Sequence, residues 1–299
     1  MLERRAEKRA SNLTGAIMTG RVAVITGGSR GIGRATALAA ASRGFKIVVG
    51  YASNEAAAQS TVAAIEASNG KAIAVKCDVG REHDILALFK AADKFGTLGA
   101  LINNAGIVGP TTRVDEMSAE RIERLMAVNV TGSILCAREA VKRMSTRHGG
   151  KGGVIINLSS VAAKLGSPNT YVDYAASKGA IDSFTVGLGH EVASEGIRVA
   201  AIRPGLIDTD IHASGGEPDR AHRLADLGRG VLRHQRDPRR VGRSLEHDHA
   251  AGRVFRSDRV LQLSQSLATG PQSWLLTISS SSARAPAVTS ARSARRSSA

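Results

Sequence analysis

The sequence predicts an α/β fold built on a doubly wound parallel sheet. Three observations predict it. From Arg21 to about Pro204, short β-branched apolar runs alternate with longer Ala-rich amphipathic stretches. The runs are apolar almost throughout, the pattern of strands buried on both faces of a sheet. The first run also passes straight into a glycine-rich turn and then a helical pattern, an arrangement that sets a helix N-terminus beside the carboxyl end of a strand.

The strand candidates are VAVIT (22–26), KIVVGY (46–51), AIAVKC (72–77), ALIN (100–103), GVIINLS (153–159) and IRVAAIR (197–203). Helix candidates lie between them near 31–43, 54–68, 81–95, 118–146 and 173–195. Parallel strands need crossovers, and right-handed crossovers lay the helices on both faces. No internal repeat of fixed period appears.

Composition bounds the function. A chain of 299 residues with 42% hydrophobic residues can bury one sizeable core with extensions. No run of 18 apolar residues occurs, so no spanning helix is expected, and the first 20 residues do not read as a secretory signal. Two cysteines, Cys77 and Cys136, make no disulfide framework and suit reduced, packed thiols in a cytoplasmic protein. The formal net charge of +15 is concentrated late: from Val231 onward twelve Arg face four acidic residues, and no Lys follows Lys178. That segment holds only Phe255 and Trp274 as aromatics, so it offers no stacking platform for nucleic acid. Residues 231–299 have lost both periodicities and end in a Ser/Ala/Arg-rich stretch expected to be disordered. They match either a divergent tail or an out-of-frame reading of GC-rich coding sequence. Residues 1–17 are expected to be a disordered extension, with the domain running from 18 to 230. His247, Asp248 and His249 are adjacent and read as solvated loop, not a metal site.

The chemistry sits in four motifs. TGGSRGIG follows the first strand; in it Gly27, Ser29, Arg30, Gly31, Ile32 and Gly33 form a turn whose backbone can approach a phosphate, with the next helix presenting unpaired N–H groups and a positive dipole end. INNAG closes the fourth strand, and its Asn104, Ala105 and Gly106 suit a backbone wall beside a ligand, although Asn and Gly also simply end strands. NLSS ends the fifth strand and places a hydroxyl at the carboxyl edge, where open α/β sheets bind ligands. In YVDYAASKGA, Tyr174 and Lys178 are four residues apart and share a helix face. A phenol ionises near ~10 and needs help to exchange protons at neutral pH; a nearby ammonium favours the phenolate.

Together, in this order and spacing, TGGSRGIG, NNAG, NLSS and YAASK resemble the short-chain dehydrogenase/reductase family in its compact form, near the 3-oxoacyl-acyl-carrier-protein reductase and glucose-dehydrogenase-like group. The resemblance spans roughly residues 18 to 229. It implies a Rossmann fold, a nicotinamide dinucleotide cofactor, and hydride transfer between that cofactor and a small-molecule carbonyl or secondary alcohol. It implies a tetrad: Asn129 of VNVTG supporting a proton-relay water, Ser160 bonding the substrate oxygen, Tyr174 as acid/base, and Lys178 lowering the Tyr174 pKa while binding the nicotinamide ribose. Tyr171 lacks a Lys four residues on, and Ser159 is the less suited serine. Asp78 and Val79 are expected near the adenine, Pro204 and Gly205 at the start of a substrate loop over 205–229, and Thr209 on the nicotinamide carboxamide. After about Gly230 the likeness stops: the further helix, seventh strand and Gly-rich end of relatives have no convincing counterpart.

NADP is expected over NAD. The second strand ends without a carboxylate until Glu55, which is expected to open the next helix. Ser53 and Asn54 can bond phosphate oxygens, and Arg30 can pair with a 2′-phosphate. The resemblance also implies a homodimer through the helices near 118–146 and 173–195, with a tetramer in doubt, and no nucleic-acid or membrane partner. The alternative is a non-catalytic or unstable nucleotide-binding protein on the same fold.

Overall fold

A computed structural model describes residues 20–205 and the backbone of 275–277. The 1–17 extension, Thr209, the loop from 206 to 229, His247–His249 and all of 231–299 except 275–277 lie outside the described residues.

Seven strands form one parallel sheet: β1 (Val22–Thr26), β2 (Lys46–Tyr51), β3 (Lys71–Lys76), β4 (Leu98–Asn103), β5 (Gly153–Leu158), β6 (Ile197–Arg203) and β7 (Leu275–Thr277). Their order in space is β3-β2-β1-β4-β5-β6-β7. The order reverses between β1 and β4, so the crevice beyond their carboxyl ends is the topological switch point where such sheets bind ligands.

The helices among the described residues are α1 (Gly31–Ala41), α2 (Glu55–Glu66), α3 (Glu82–Phe95), α4 (Ala119–Met126), α5 (Gly132–Met144), α6 (Ala162–Leu165) and α7 (Val172–Val192). Successive side chains of a strand point to opposite faces. Val22 and Val24 therefore pack with Leu88, Phe89, Cys136 and Met144 on the face of α3 and α5, while Ala23 and Ile25 pack with Ala37, Ala58 and Ile65 on the face of α1 and α2. This double burial is the reason the strands read as continuous apolar runs. At the opposite end of the sheet the buried Arg21 donates to the carbonyls of Leu98 and Gly152, tying the start of β1 to the starts of β4 and β5 away from the ligand edge.

Six strands and five long helical stretches stand within a few residues of the sequence expectation, and the doubly wound fold is as expected. Two features differ. The stretch 118–146 is not one α-helix: residues Ala127–Thr131 form a π turn between α4 and α5. And the atypical tail contributes a short strand that the sequence did not reveal: Leu275–Thr277 pairs in parallel with Ala201–Arg203 of β6. Three residues are too few to show a strand period, so this piece of the otherwise atypical tail gave no signal.

Candidate active site

The β1–α1 turn is shaped by its glycines. Gly27 (φ 62°) and Gly31 (φ 53°) adopt the left-handed region that favours glycine. A Cβ on Gly33 would run into the Gly27 carbonyl and come within 2.5 Å of Asn104 Nδ2. Asn104 holds this turn from the far side of the switch point, its Nδ2 donating to the carbonyls of Thr26 (2.9 Å) and Gly27 (2.8 Å). Thr26 Oγ1 accepts from the backbone N–H of Asn104 and of Ala105, both at 3.0 Å. The two motifs read separately in the sequence are thus one hydrogen-bonded unit.

The N-terminus of α1 fits a bound anion. Its N-cap residue, Arg30, makes no side-chain cap, and no acidic residue stands in the first turn. The first-turn N–H groups and the dipole therefore lack an internal negative partner. Arg30 is exposed at this end, Ser29 and Ile32 are half-buried beside it, and the Ser29 carbonyl accepts from Thr61 Oγ1 at 3.2 Å.

At the end of β2, Ser53 and Asn54 are exposed, and Glu55 opens α2 as expected. Asn54 Oδ1 caps that helix, accepting from Ala57 N at 2.9 Å, which engages its acceptor and not the donor group a phosphate would need. Val79 is buried. The Asp78 carboxylate is engaged by the protein itself: it accepts from Arg124 Nη2 at 2.9 and 3.0 Å and from the Gly80 N–H at 3.0 Å.

On the other side of the switch point, α7 carries Tyr174 and Lys178 on one face as their spacing requires. The Ser160 hydroxyl acts on the Tyr174 phenol, pulling its pKa down. The Lys178 ammonium lies 5.6 Å from the centroid of the Tyr174 ring and donates to the Leu158 carbonyl at 2.6 Å. Ser160 Oγ also accepts from Ala162 N at 3.1 Å. Ser159 is turned inward, buried, with Oγ donating to the Lys178 carbonyl at 3.2 Å. Of the two serines, Ser160 is the one that acts on the Tyr174 phenol. Tyr171 is buried apart, with its hydroxyl 3.5 Å from Thr111 Oγ1.

Asn129 lies inside the π turn, only 1% exposed. Such turns are frequent at functional sites because they re-aim a side chain within a helix. Its Oδ1 accepts from Ile107 N at 2.8 Å; its Nδ2 donates to Ile107 O at 3.0 Å and to Ser177 Oγ at 3.1 Å. Ser177 Oγ donates in turn to the Tyr174 carbonyl at 2.7 Å. Gly106 sits in the angle between Asn129 and Lys178; a Cβ there would be 3.4 Å from Asn129 Oδ1 and 3.7 Å from Lys178 Nζ. Pro204 accepts from Val161 N at 3.1 Å, and Gly205 ends the described part of its loop.

The electrostatics differ from the expectation in one respect. Burial pushes the Tyr174 phenol up from its ordinary value of 10.0, with the Ser160 hydrogen bond pulling the other way. Lys178 does not offset this, because its ammonium sits over the ring and bonds a carbonyl instead of the hydroxyl. Burial brings Lys178 itself down from 10.5 to about 8, against the opposing pull of the Asp182 carboxylate. Asp182 in turn pairs with Arg203 of β6, Nε to Oδ2 at 2.8 Å.

The sequence reading missed a buried polar ladder behind the site. Asn103 Nδ2 donates to Asn157 Oδ1 (3.0 Å) and the Ser133 carbonyl (3.0 Å), and Asn157 Nδ2 donates to Thr185 Oγ1 (2.9 Å). The available signal was an Asn at or near the end of two apolar strands, β4 and β5, since buried polar groups persist where they find partners.

Residues 21–219 match the family model described as short chain dehydrogenase. The chain belongs to the short-chain dehydrogenase family of oxidoreductases. It is 53% identical over 204 residues to the uncharacterized oxidoreductase YgfF of Escherichia coli (strain K12), covering 68% of this chain and 83% of that protein. It is 42% identical over 195 residues to a 3-oxoacyl-[acyl-carrier-protein] reductase of Synechocystis, covering 65% and 77%. Among solved structures it resembles a short chain dehydrogenase from Burkholderia cenocepacia J2315 in complex with NADP, with a TM-score of 0.68, 30% identity, and coverage of 87% of this chain and 97% of that one. No helix among the described residues is long and apolar enough to cross a membrane, and they contain no cluster of three or more metal-ligating side chains.

Proposed function

We propose that the protein is an NADP(H)-preferring reductase of small carbonyl compounds, with Tyr174 as the acid/base. The observation that carries this reading is the Lys178 ammonium 5.6 Å from the centroid of the Tyr174 ring, with the Ser160 hydroxyl acting on the same phenol. The cofactor would lie across the switch point, its pyrophosphate at the β1–α1 turn, its adenine end by Asp78 and Val79, and its nicotinamide end by Asn104, Ala105, Gly106, Lys178, Pro204 and Gly205. The nicotinamide supplies the hydride.

The chain's own residues do the rest. Two hydroxyls that meet, one on a strand end and one on a helix, can bond a single carbonyl oxygen and polarise it. Tyr174 then gives its proton to that oxygen as negative charge develops there. Burial raises the phenol's pKa and keeps it protonated, ready to act as an acid toward a bound carbonyl. For a charged Lys178 to stabilise the phenolate left behind, its ammonium must turn from the Leu158 carbonyl toward the hydroxyl, and the second lone pair of Asn129 Oδ1 remains for a water on the proton path.

Preference for NADP rests on the exposed Arg30 and on a β2 end without a carboxylate before Glu55. The NADP complex of the Burkholderia relative supports it. The relatives' names differ in substrate, and this reading therefore goes no further than a carbonyl or its alcohol. Two copies would pair through α4–α5 and α7, where Gly179 and Gly187 leave open space for close approach.

The test is Tyr174→Phe. General acid–base groups contribute about 10²- to 10⁴-fold, so kcat on a carbonyl substrate should fall by that order while NADPH binding, read by fluorescence titration, stays close to the parent value. A variant with near-parental kcat would remove Tyr174 from its role.

A further inference from the structure

One charged pair beside the site has no part in the chemistry described so far. Asp173 directly precedes Tyr174 in the first turn of α7, and its side chain is 5% exposed. It takes a two-pronged contact from Arg121 of α4: Nε to Oδ2 at 2.9 Å and Nη2 to Oδ1 at 3.3 Å. Arg121 is itself 15% exposed. An ion pair this enclosed costs much desolvation and is weak evidence of stabilisation alone, so its other contacts bear on what it does.

Those contacts run to one loop. Arg121 Nη1 donates to the Pro110 carbonyl and to Thr112 Oγ1, both at 2.7 Å. Gly109 lies flat against the guanidinium; a Cβ there would fall 2.8 Å from Cζ and 2.9 Å from Nε. The loop is fastened at a second point, with Thr112 N donating to the Thr170 carbonyl at 3.2 Å. Residues 107–113 follow Gly106 immediately and therefore leave the site at the point where Asn129 holds Ile107.

The catalytic helix is held by the same carboxylate. Tyr174 N, in the first turn where no intrahelical acceptor exists, donates to Asp173 Oδ1 at 2.9 Å. One guanidinium thus connects the loop beyond Gly106, the helix leading to Asn129, and the backbone of Tyr174. A planar fork can serve three partners at fixed angles, which a lysine ammonium cannot copy.

We propose that Arg121, acting through Asp173, is a positioning residue that couples loop 107–113 to the backbone of Tyr174 and so sets the substrate side of the site. The kinetic part of this proposal rests on the carbonyl reductase reading; the coupling itself does not. Arg121→Gln removes the charge and most of the fork. Arg121→Lys keeps the charge alone, and Thr112→Val removes the hydroxyl that accepts from Arg121 and donates to the Pro110 carbonyl while leaving the ion pair intact.

The measurement is residue-resolved amide hydrogen exchange together with steady-state kinetics. In Arg121→Gln, the amides of Thr112 and Tyr174 should exchange faster together. The KM for a carbonyl compound the parent reduces should rise about tenfold, with the KM for NADPH changed less than twofold. Arg121→Lys should fall between parent and Arg121→Gln. Thr112→Val, which spares the fold if Arg121→Gln does not, should release the loop amide and raise the carbonyl KM while leaving the Tyr174 amide protected. Faster exchange at Thr112 with an unchanged Tyr174 amide in Arg121→Gln would overturn the coupling. A lowered melting temperature with unchanged kinetic constants would show a merely structural pair and overturn the proposal as well. If the parent reduces no carbonyl compound with either cofactor, the functional reading falls, and the exchange result alone upholds or overturns the coupling.

Discussion

Lys178 gives the sharpest handle on the electrostatics of the site. It is buried, and desolvation brings its pKa from 10.5 to about 8 even with Asp182 pulling upward. That displacement corresponds to about 3 kcal/mol in favour of the neutral amine. The sign follows directly: the ammonium predominates below about 8 and is lost as pH rises through it. If Lys178 must be charged to stabilise the Tyr174 phenolate, reduction should decline through that range, well short of the ~10.4 of an ordinary lysine. Tyr174 cannot produce this limb, because its own pKa is raised above 10.0. The quantity to measure is kcat/KM for NADPH from pH 6 to 10, which reports the free protein. The perturbation is Lys178→Arg, whose guanidinium stays charged throughout this range. Activity should drop because the longer head does not fit the contact with the Leu158 carbonyl, but the basic limb near 8 should vanish. A limb that stays near 8 in the variant, or a parent profile flat to pH 10, would refute the reasoning.

Two further outcomes follow from the cofactor side. Gly33→Ala should weaken NADPH binding by about tenfold or more in isothermal titration, because the added methyl meets the Gly27 carbonyl and an Asn104 amide held by two hydrogen bonds, and overpacking of this kind costs ~1–3 kcal/mol; unchanged binding would show that the turn yields easily. Arg30→Ala should lower kcat/KM with NADPH while sparing NADH if its guanidinium pairs with the 2′-phosphate, the group that NADPH carries and NADH lacks; an unchanged ratio would remove Arg30 from cofactor choice.

The sheet was legible because its strands are buried on both faces. VAVIT and KIVVGY are continuous apolar runs, and both appear with the expected bounds as β1 and β2. Tyr174 and Lys178 were legible because helical spacing alone puts them on one face. The π turn around Asn129 was not, since an inserted residue within an otherwise helical stretch alters no apolar period clearly enough to be seen. The direction of the Tyr174 shift was not legible either: it depends on where the Lys178 ammonium points, toward the Leu158 carbonyl, and on how far burial outweighs a hydrogen bond. Arg121 and Asp173 are far apart in sequence and look like ordinary solvated charges until α4 and α7 are packed together. The three residues of β7 are identified by their pairing with Ala201–Arg203 and by no pattern of their own.

The central claim is that Ser160, Tyr174 and Lys178 form a proton-delivering site beside a bound nicotinamide. The most direct test supplies NADPH deuterated at the transferable position with a panel of ketones and follows the alcohol products by mass spectrometry, for the parent and for Tyr174→Phe. The account predicts one deuterium on the carbinol carbon in the parent reaction and the loss of that product by about 10²- to 10⁴-fold in the variant. Deuterium transfer at parental rate in Tyr174→Phe, or no transfer to any ketone by a parent that binds NADPH, would contradict it.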